Sequence, residues 1–178
     1  PVLYKWLDVR PSMTVVDLGC GSGYFTRIIA GGLKGRGKVI GIDADESLVS
    51  KAREVPQQKE LSKIVEFRVG NIYGVSLPDN FADLVTCHIV LCNIPRQLDA
   101  ILEMKRVAKI GGKVAAIEPA YGGGFYYPDE RLNELHEKFS KAFGIAIDKE
   151  WRQKLDMSKF IQNIHLKLSG LFLNAGLK

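Results

Sequence analysis

Short runs rich in β-branched residues alternate along this chain with longer stretches of helical periodicity. That alternation limits the available folds more than any other feature. The runs cover residues 14–18, 38–42, 64–69, 82–88 and 113–117. Between them, apolar residues recur at helical spacing. Leu48, Val49, Ala52 and Val55 do so after Asp45, and Leu98, Ile101, Leu102 and Ala108 do so within 95–109. Asp45 and Asn93 are suited to cap these two helices. Strands separated by helices pair in parallel through right-handed crossovers, which place helices on both sheet faces. The expected fold is therefore α/β: a Rossmann-like, doubly wound, mostly parallel sheet.

The first strand runs into Val15-Val16-Asp17-Leu18-Gly19-Cys20-Gly21-Ser22-Gly23-Tyr24-Phe25. Three glycines remove the Cβ atoms that would block a tight turn or the approach of a ligand to the backbone. The helix that follows points its free N–H groups at the crevice beyond the strand ends, where open α/β sheets bind ligands. Asp43 ends the second run, where a carboxylate can accept from both hydroxyls of a ribose. A glycine turn alone is common structural punctuation, and Asp43 alone is a plausible turn or cap residue. The strand before the glycines, the helix after them and the acid at the next strand end together read as a nucleotide site.

Two kinds of nucleotide fit such a site. A dinucleotide site uses GxGxxG and brings pyrophosphate to the helix N-terminus. Here the spacing is GxGxG, and Asp17 stands just before the turn. An anion beside pyrophosphate is unfavourable, whereas beside an amino group and a sulfonium it is favourable. The residues therefore favour S-adenosylmethionine over NAD.

At this point the sequence resembles the class I S-adenosylmethionine-dependent methyltransferases. DLGCGSG is similar to their first motif and GIDADESLV to their second. The stretch Arg68-Val69-Gly70-Asn71-Ile72 resembles their adenine-binding turn, and Phe81-Ala82-Asp83-Leu84-Val85 their fourth strand. The residues from Met104 through Gly111-Gly112-Lys113 look like the helix and turn before strand five. The resemblance covers residues 1 to about 119, in order, and implies roles for the matching positions. Gly19 and Gly21 would pass close to the methionine moiety, with Cys20 and Tyr24 in the same turn. Asp17 would bind its amino group and Asp43, with Ala44 beside it, the ribose. Asn71 and Ile72 would flank adenine. Cys87 and His88 would line the methyl side, just past strand four.

There are departures from the family pattern. Asn71 stands where the family usually has Asp, and Ile110 where it often has Pro. The family sheet closes with two antiparallel strands, and this sequence ends at Lys178 where the next would start. The expected layout is one methyltransferase domain over 1–178. Its parts are a cofactor-binding core (1–119), a helical insertion or lid after strand five (120–160) and a final helix (161–178) ending at Gly176.

Methyl transfer from a sulfonium is an in-line displacement, so alignment and exclusion of water dominate. A base is needed only where the acceptor must lose a proton. His88 is the candidate, because histidine titrates near neutrality and the end of strand four faces the crevice; its alternative role is packing. Tyr121, Phe125, Tyr126 and Tyr127 are candidates for a lid or acceptor pocket, and equally for anchoring the added helices. Tyr4 and Trp6 either pack over the cofactor or cap the sheet. No Asn/Asp-Pro-Pro-aromatic motif follows strand four, which turns the expectation from nucleic-acid bases to a small-molecule acceptor. Glu118-Pro119 is similar to the quinone-biosynthesis subgroup.

The net charge of +5 includes one tight basic knot, Lys34, Arg36 and Lys38, and is otherwise interleaved with acids. It reads as a solvated surface rather than a nucleic-acid face. Cys20, Cys87 and Cys92 form no CxxC pair, so neither a disulfide framework nor a metal site is expected. No apolar run reaches the length of a membrane span and no leader is evident, so the expected compartment is the cytoplasm. The sequence opens at Pro1 without a methionine, consistent with an excerpt. The competing readings are an NAD-type oxidoreductase module, an RNA methyltransferase and a non-catalytic binding protein on the same fold.

Overall fold

A computed structural model describes residues 2–55, 61–118 and 164–177. In chain order these form α1 (Val2–Leu7), β1 (Thr14–Leu18), α2 (Tyr24–Gly32), β2 (Lys38–Asp43), α3 (Glu46–Glu54), β3 (Val65–Val69), β4 (Ala82–His88), α4 (Gln97–Val107), β5 (Ala108–Ile117) and α5 (Ile164–Asn174). The five strands make one parallel sheet in the order β3-β2-β1-β4-β5. The order reverses between β1 and β4, and a ligand crevice opens beyond the carboxyl ends of the strands at such a reversal. The Rossmann-like expectation therefore holds. The proposed insertion over 120–160 and its aromatic residues lie outside the described residues.

Because side chains alternate across a strand, each central strand serves two cores. Val15 and Leu84 point to the face covered by α1 and α2, where they meet Leu7, Phe25, Ile29 and Leu33. Val16, Leu18, Val85 and Cys87 point to the opposite face, where they meet Ile101, Met104, Val107 and Ile164. Complete burial of each large apolar side chain contributes about 1.5–3 kcal/mol over its exposed state. A smaller cluster joins Val49 and Ala52 of α3 to Phe67 of β3 and Cys20.

The helix ends are set by local chemistry, not always as the sequence suggests. Asp45 caps α3, its Oδ1 accepting the N–H groups of Ser47 at 2.8 Å and Leu48 at 3.3 Å. Asn93 does not cap α4; it closes a short 3-10 turn over Leu91–Asn93, and Arg96 occupies the cap position. The turn draws Asn93 back, so that its Nδ2 donates to the Ile89 carbonyl at 2.9 Å. The buried stripe of α4 is Ala100, Ile101, Met104 and Val107, with Leu102 facing outward. Strand β5 starts at Ala108 rather than Lys113, because Ala108 already pairs with Ala82. Register then slips across Gly111, at φ 76°, before Leu84 pairs with Lys113.

Tyr4 does not reach the strand ends. Its hydroxyl donates to the Ile28 carbonyl at 2.7 Å, so α1 docks on the last turn of α2, away from the glycine turn. Trp6 is exposed. Gly176, at φ 69°, terminates α5.

Candidate functional site

The glycine turn after β1 holds Gly19, Gly21 and Gly23 at φ 72°, 52° and 81°, all in the left-handed region that favours glycine. Gly19 is fixed twice over, since a Cβ there would overlap Val90 Cγ2. The N–H groups of Gly19 and Cys20 both donate to the Ile42 carbonyl, at 2.7 and 3.1 Å. This ties the turn to the end of β2.

Asp43 completes that tie. Its Oδ2 accepts the Gly21 N–H at 2.7 Å, and its Oδ1 accepts the Asp45 N–H at 2.9 Å. Each carboxylate oxygen has two lone pairs, so both remain able to accept one more donor. The residue thus shapes the turn and still offers two acceptors to a diol.

Asp17 sits beneath the turn, 1% exposed. Thr26 of α2 donates to its Oδ2 at 2.6 Å, while Oδ1 is buried with no partner. Burial pushes its pKa up to about 7, offset in part by the Thr26 hydroxyl and reinforced by the negative charge of Asp43. A buried acceptor left unmatched is costly. The neighbouring strand places Thr86 in register with Asp17, and the Thr86 hydroxyl is likewise buried and unmatched.

A cavity of about 410 Å³ opens at the carboxyl ends of the strands. Gly19, Asp43 and Ala44 form one wall and Asn71 and Ile72 another, and the loop after β4 closes it with Ile89, Val90 and Asn93. Asn71 supports its own loop, its Oδ1 accepting the Tyr73 N–H at 2.9 Å. Tyr73 lines the cavity and carries the Arg96 guanidinium 4.2 Å above its ring.

Five residues singled out in the sequence therefore meet at the cavity: Gly19, Asp43, Ala44, Asn71 and Ile72. Others do not line it, Asp17 and Gly21 among them. Cys20 packs beneath α3, and Tyr24 projects outward, 73% exposed. Cys87 and His88 are the last residues of β4 rather than residues past it, and they face opposite ways. Cys87 is fully buried in the core against α4 and α5. His88 stacks on Phe25 of α2, with ring centroids 4.6 Å apart and planes 19° apart. Burial holds its pKa below 6.5, against the opposing pull of Glu118, so the neutral imidazole prevails at neutral pH. Burial raises all three thiols, those of Cys20 and Cys92 to about 12, which keeps them protonated and poorly nucleophilic.

Sequence reasoning missed the loop after β4 as a cavity wall. Ile89, Val90 and Ile94 carry no polar signature, and only their position after a central strand marks them. No group of His, Cys, Asp and Glu among the described residues is arranged to hold a metal.

An open parallel sheet of this order, with a glycine turn after β1 and an acid ending β2, defines a Rossmann-like nucleotide-binding α/β protein. Residues 10–164 match the family described as the methyltransferase domain, and the chain belongs to that family. It is similar to demethylmenaquinone methyltransferase of Bacillus cereus (strain AH187), 36% identical over 112 residues, covering 63% of this chain and 47% of the relative. The chain thus spans about half the length of the curated relatives it matches. A SAM dependent methyltransferase from Aquifex aeolicus superposes with a TM-score of 0.68 at 21% identity, over 99% of this chain and 78% of that one. CrArsM, an arsenic (III) S-adenosylmethionine methyltransferase from Chlamydomonas reinhardtii, superposes with a TM-score of 0.54 at 26% identity. That match covers 58% of this chain and 38% of the other.

Proposed function

We propose that this protein binds S-adenosylmethionine at the strand ends and transfers its methyl group to a small-molecule acceptor. The observation that carries the reading is the cavity walled by Gly19, Asp43, Asn71 and Ile72, with the unmatched Asp17 oxygen beneath the adjoining turn. Family membership and the S-adenosylmethionine-dependent relatives support the cofactor.

The donor set suits this group. Asp17 presents a buried acceptor to an ammonium, Asp43 presents two acceptors to a ribose, and Asn71 and Ile72 flank a flat base. NAD fits less well, because Asp17 would stand near its pyrophosphate and the turn lacks the GxGxxG spacing. When bound, S-adenosylmethionine supplies a methyl carbon already activated by its sulfonium. The chain's own work is then to align the acceptor, exclude water and take up a proton where the acceptor must lose one. His88, neutral at the end of β4, is the group proposed for that proton.

The demethylmenaquinone methyltransferase relatives and the Glu118-Pro119 pair favour a quinone-like small molecule as acceptor over RNA. No helix among the described residues is long and apolar enough to cross a membrane. The cytoplasm is the compartment proposed.

Calorimetric titration with S-adenosylmethionine, with NAD as control, tests the reading. Saturable binding of the first alone is expected. Binding of NAD alone, or of neither, would overturn it.

A further inference from the structure

Glu118, the residue directly after β5, has its carboxyl group inside the protein and is only 8% exposed. Among the described residues no lysine or arginine pairs with it. It is matched instead by three consecutive backbone N–H groups of the loop after β4. Oε1 accepts from Val90 at 3.0 Å and Leu91 at 2.8 Å, and Oε2 accepts from Cys92 at 3.2 Å. Buried charge is tolerated when hydrogen bonds replace its hydration, and charge-assisted bonds are the stronger kind.

The loop needs such a restraint. Ile89 has φ 57°, a left-handed backbone at a β-branched residue, which is strained. Its N–H donates to the Ile117 carbonyl at 2.8 Å, so the end of β5 holds the loop at two adjacent positions. Ile89 and Val90 both line the cavity, and Val90 lies against Gly19 of the glycine turn. The strained residue thus stands directly before Val90, whose N–H is bound by Glu118 and whose side chain rests on the glycine turn.

We propose that Glu118 is a positioning residue for the cofactor site. It touches no ligand. It holds residues 89–92 in the strained form that makes the cavity wall, and so sets affinity by preorganisation. The affinity part rests on the reading of the cavity as an S-adenosylmethionine site; the tethering part does not.

The test compares wild type with Glu118→Gln and Glu118→Ala, the first keeping the side-chain shape in case the second fails to fold. Amide hydrogen exchange is followed along the chain, and S-adenosylhomocysteine is titrated calorimetrically. The expected result is exchange about tenfold faster or more at Val90, Leu91 and Cys92, with β1 and α2 unchanged. The ligand Kd is expected to rise about tenfold in the same variant, and Glu118→Gln to fall between wild type and Glu118→Ala. Unchanged exchange at the three amides overturns the tether. Equal loss of protection throughout the sheet also overturns the proposal, because it marks an ordinary core residue. Local loosening with unchanged affinity overturns the positioning role. If wild type binds no ligand, the cofactor reading fails, and the positioning role fails with it; exchange still decides the tether.

Discussion

Thr26 of α2 donates its hydroxyl to Oδ2 of Asp17 in β1 at 2.6 Å, leaving Oδ1 of the same buried carboxylate without a partner. One oxygen joins the helix to the strand. The other is buried under the glycine turn with no partner among the described residues.

That arrangement has a pH signature. Asp17 goes from an ordinary 3.8 to about 7 on folding, chiefly through burial. Between those values the folded chain holds the proton more tightly than the unfolded chain. Stability therefore falls as pH rises across that window and levels off above it. Asp17→Asn removes the effect. The variant should gain stability over wild type at pH 8 by on the order of 4 kcal/mol, and little at pH 4. Urea unfolding at the two pH values measures this, and an equal difference at both would refute the assignment.

Asp43 has two duties, and its removal should affect both. Asp43→Ala deprives Gly21 of its acceptor and a ribose of its two. A Kd for S-adenosylmethionine weaker by about 100-fold or more is expected, since two hydrogen bonds are lost and hydrogen bonds to charged groups contribute about 1.5–3 kcal/mol each. Calorimetry on a variant whose circular dichroism matches wild type would show this. Unchanged affinity would remove Asp43 from the site.

Two glycines of one turn should respond differently to the same change. Gly19→Ala meets both a left-handed backbone and Val90 Cγ2, whereas a Cβ at Gly21 projects into open space. Gly21→Ala should cost only the backbone strain, about 1–2 kcal/mol. Gly19→Ala should cost more and also displace the cavity wall. The difference in urea midpoints between the two variants checks the packing around Val90.

His88 is separated from the cavity but stacked where α2 meets the end of β4. If it takes a proton from the acceptor, His88→Ala should lower turnover about 100-fold or more while leaving the Kd for S-adenosylmethionine close to wild type. Because burial lowers its pKa, the acid limb of the wild-type activity profile should have its midpoint below that of an ordinary imidazole. A steady-state pH profile with a competent acceptor decides the matter. Undiminished turnover in the variant would leave His88 as packing for Phe25.

The sequence by itself determined the order of strands and helices, the glycine turn and the acid ending β2. Those features rest on local chemistry: β-branched runs, the conformational freedom of glycine, and a carboxylate capping α3 at Asp45. Asn71 and Ile72 were legible only through the resemblance of 68–72 to the family's adenine-binding turn. Tertiary structure decided what depends on contacts between distant segments. The alternation of β4 sent Cys87 and His88 to opposite faces, and pairing with Ala82 drew the start of β5 back to Ala108. Likewise, the loop after β4 found an acceptor for three of its N–H groups in Glu118, more than two dozen residues later, and its Ile89 and Val90 line the cavity. Periodicity and motifs report on neighbours along the chain, whereas burial and hydrogen-bond partnership are set by which strands lie side by side.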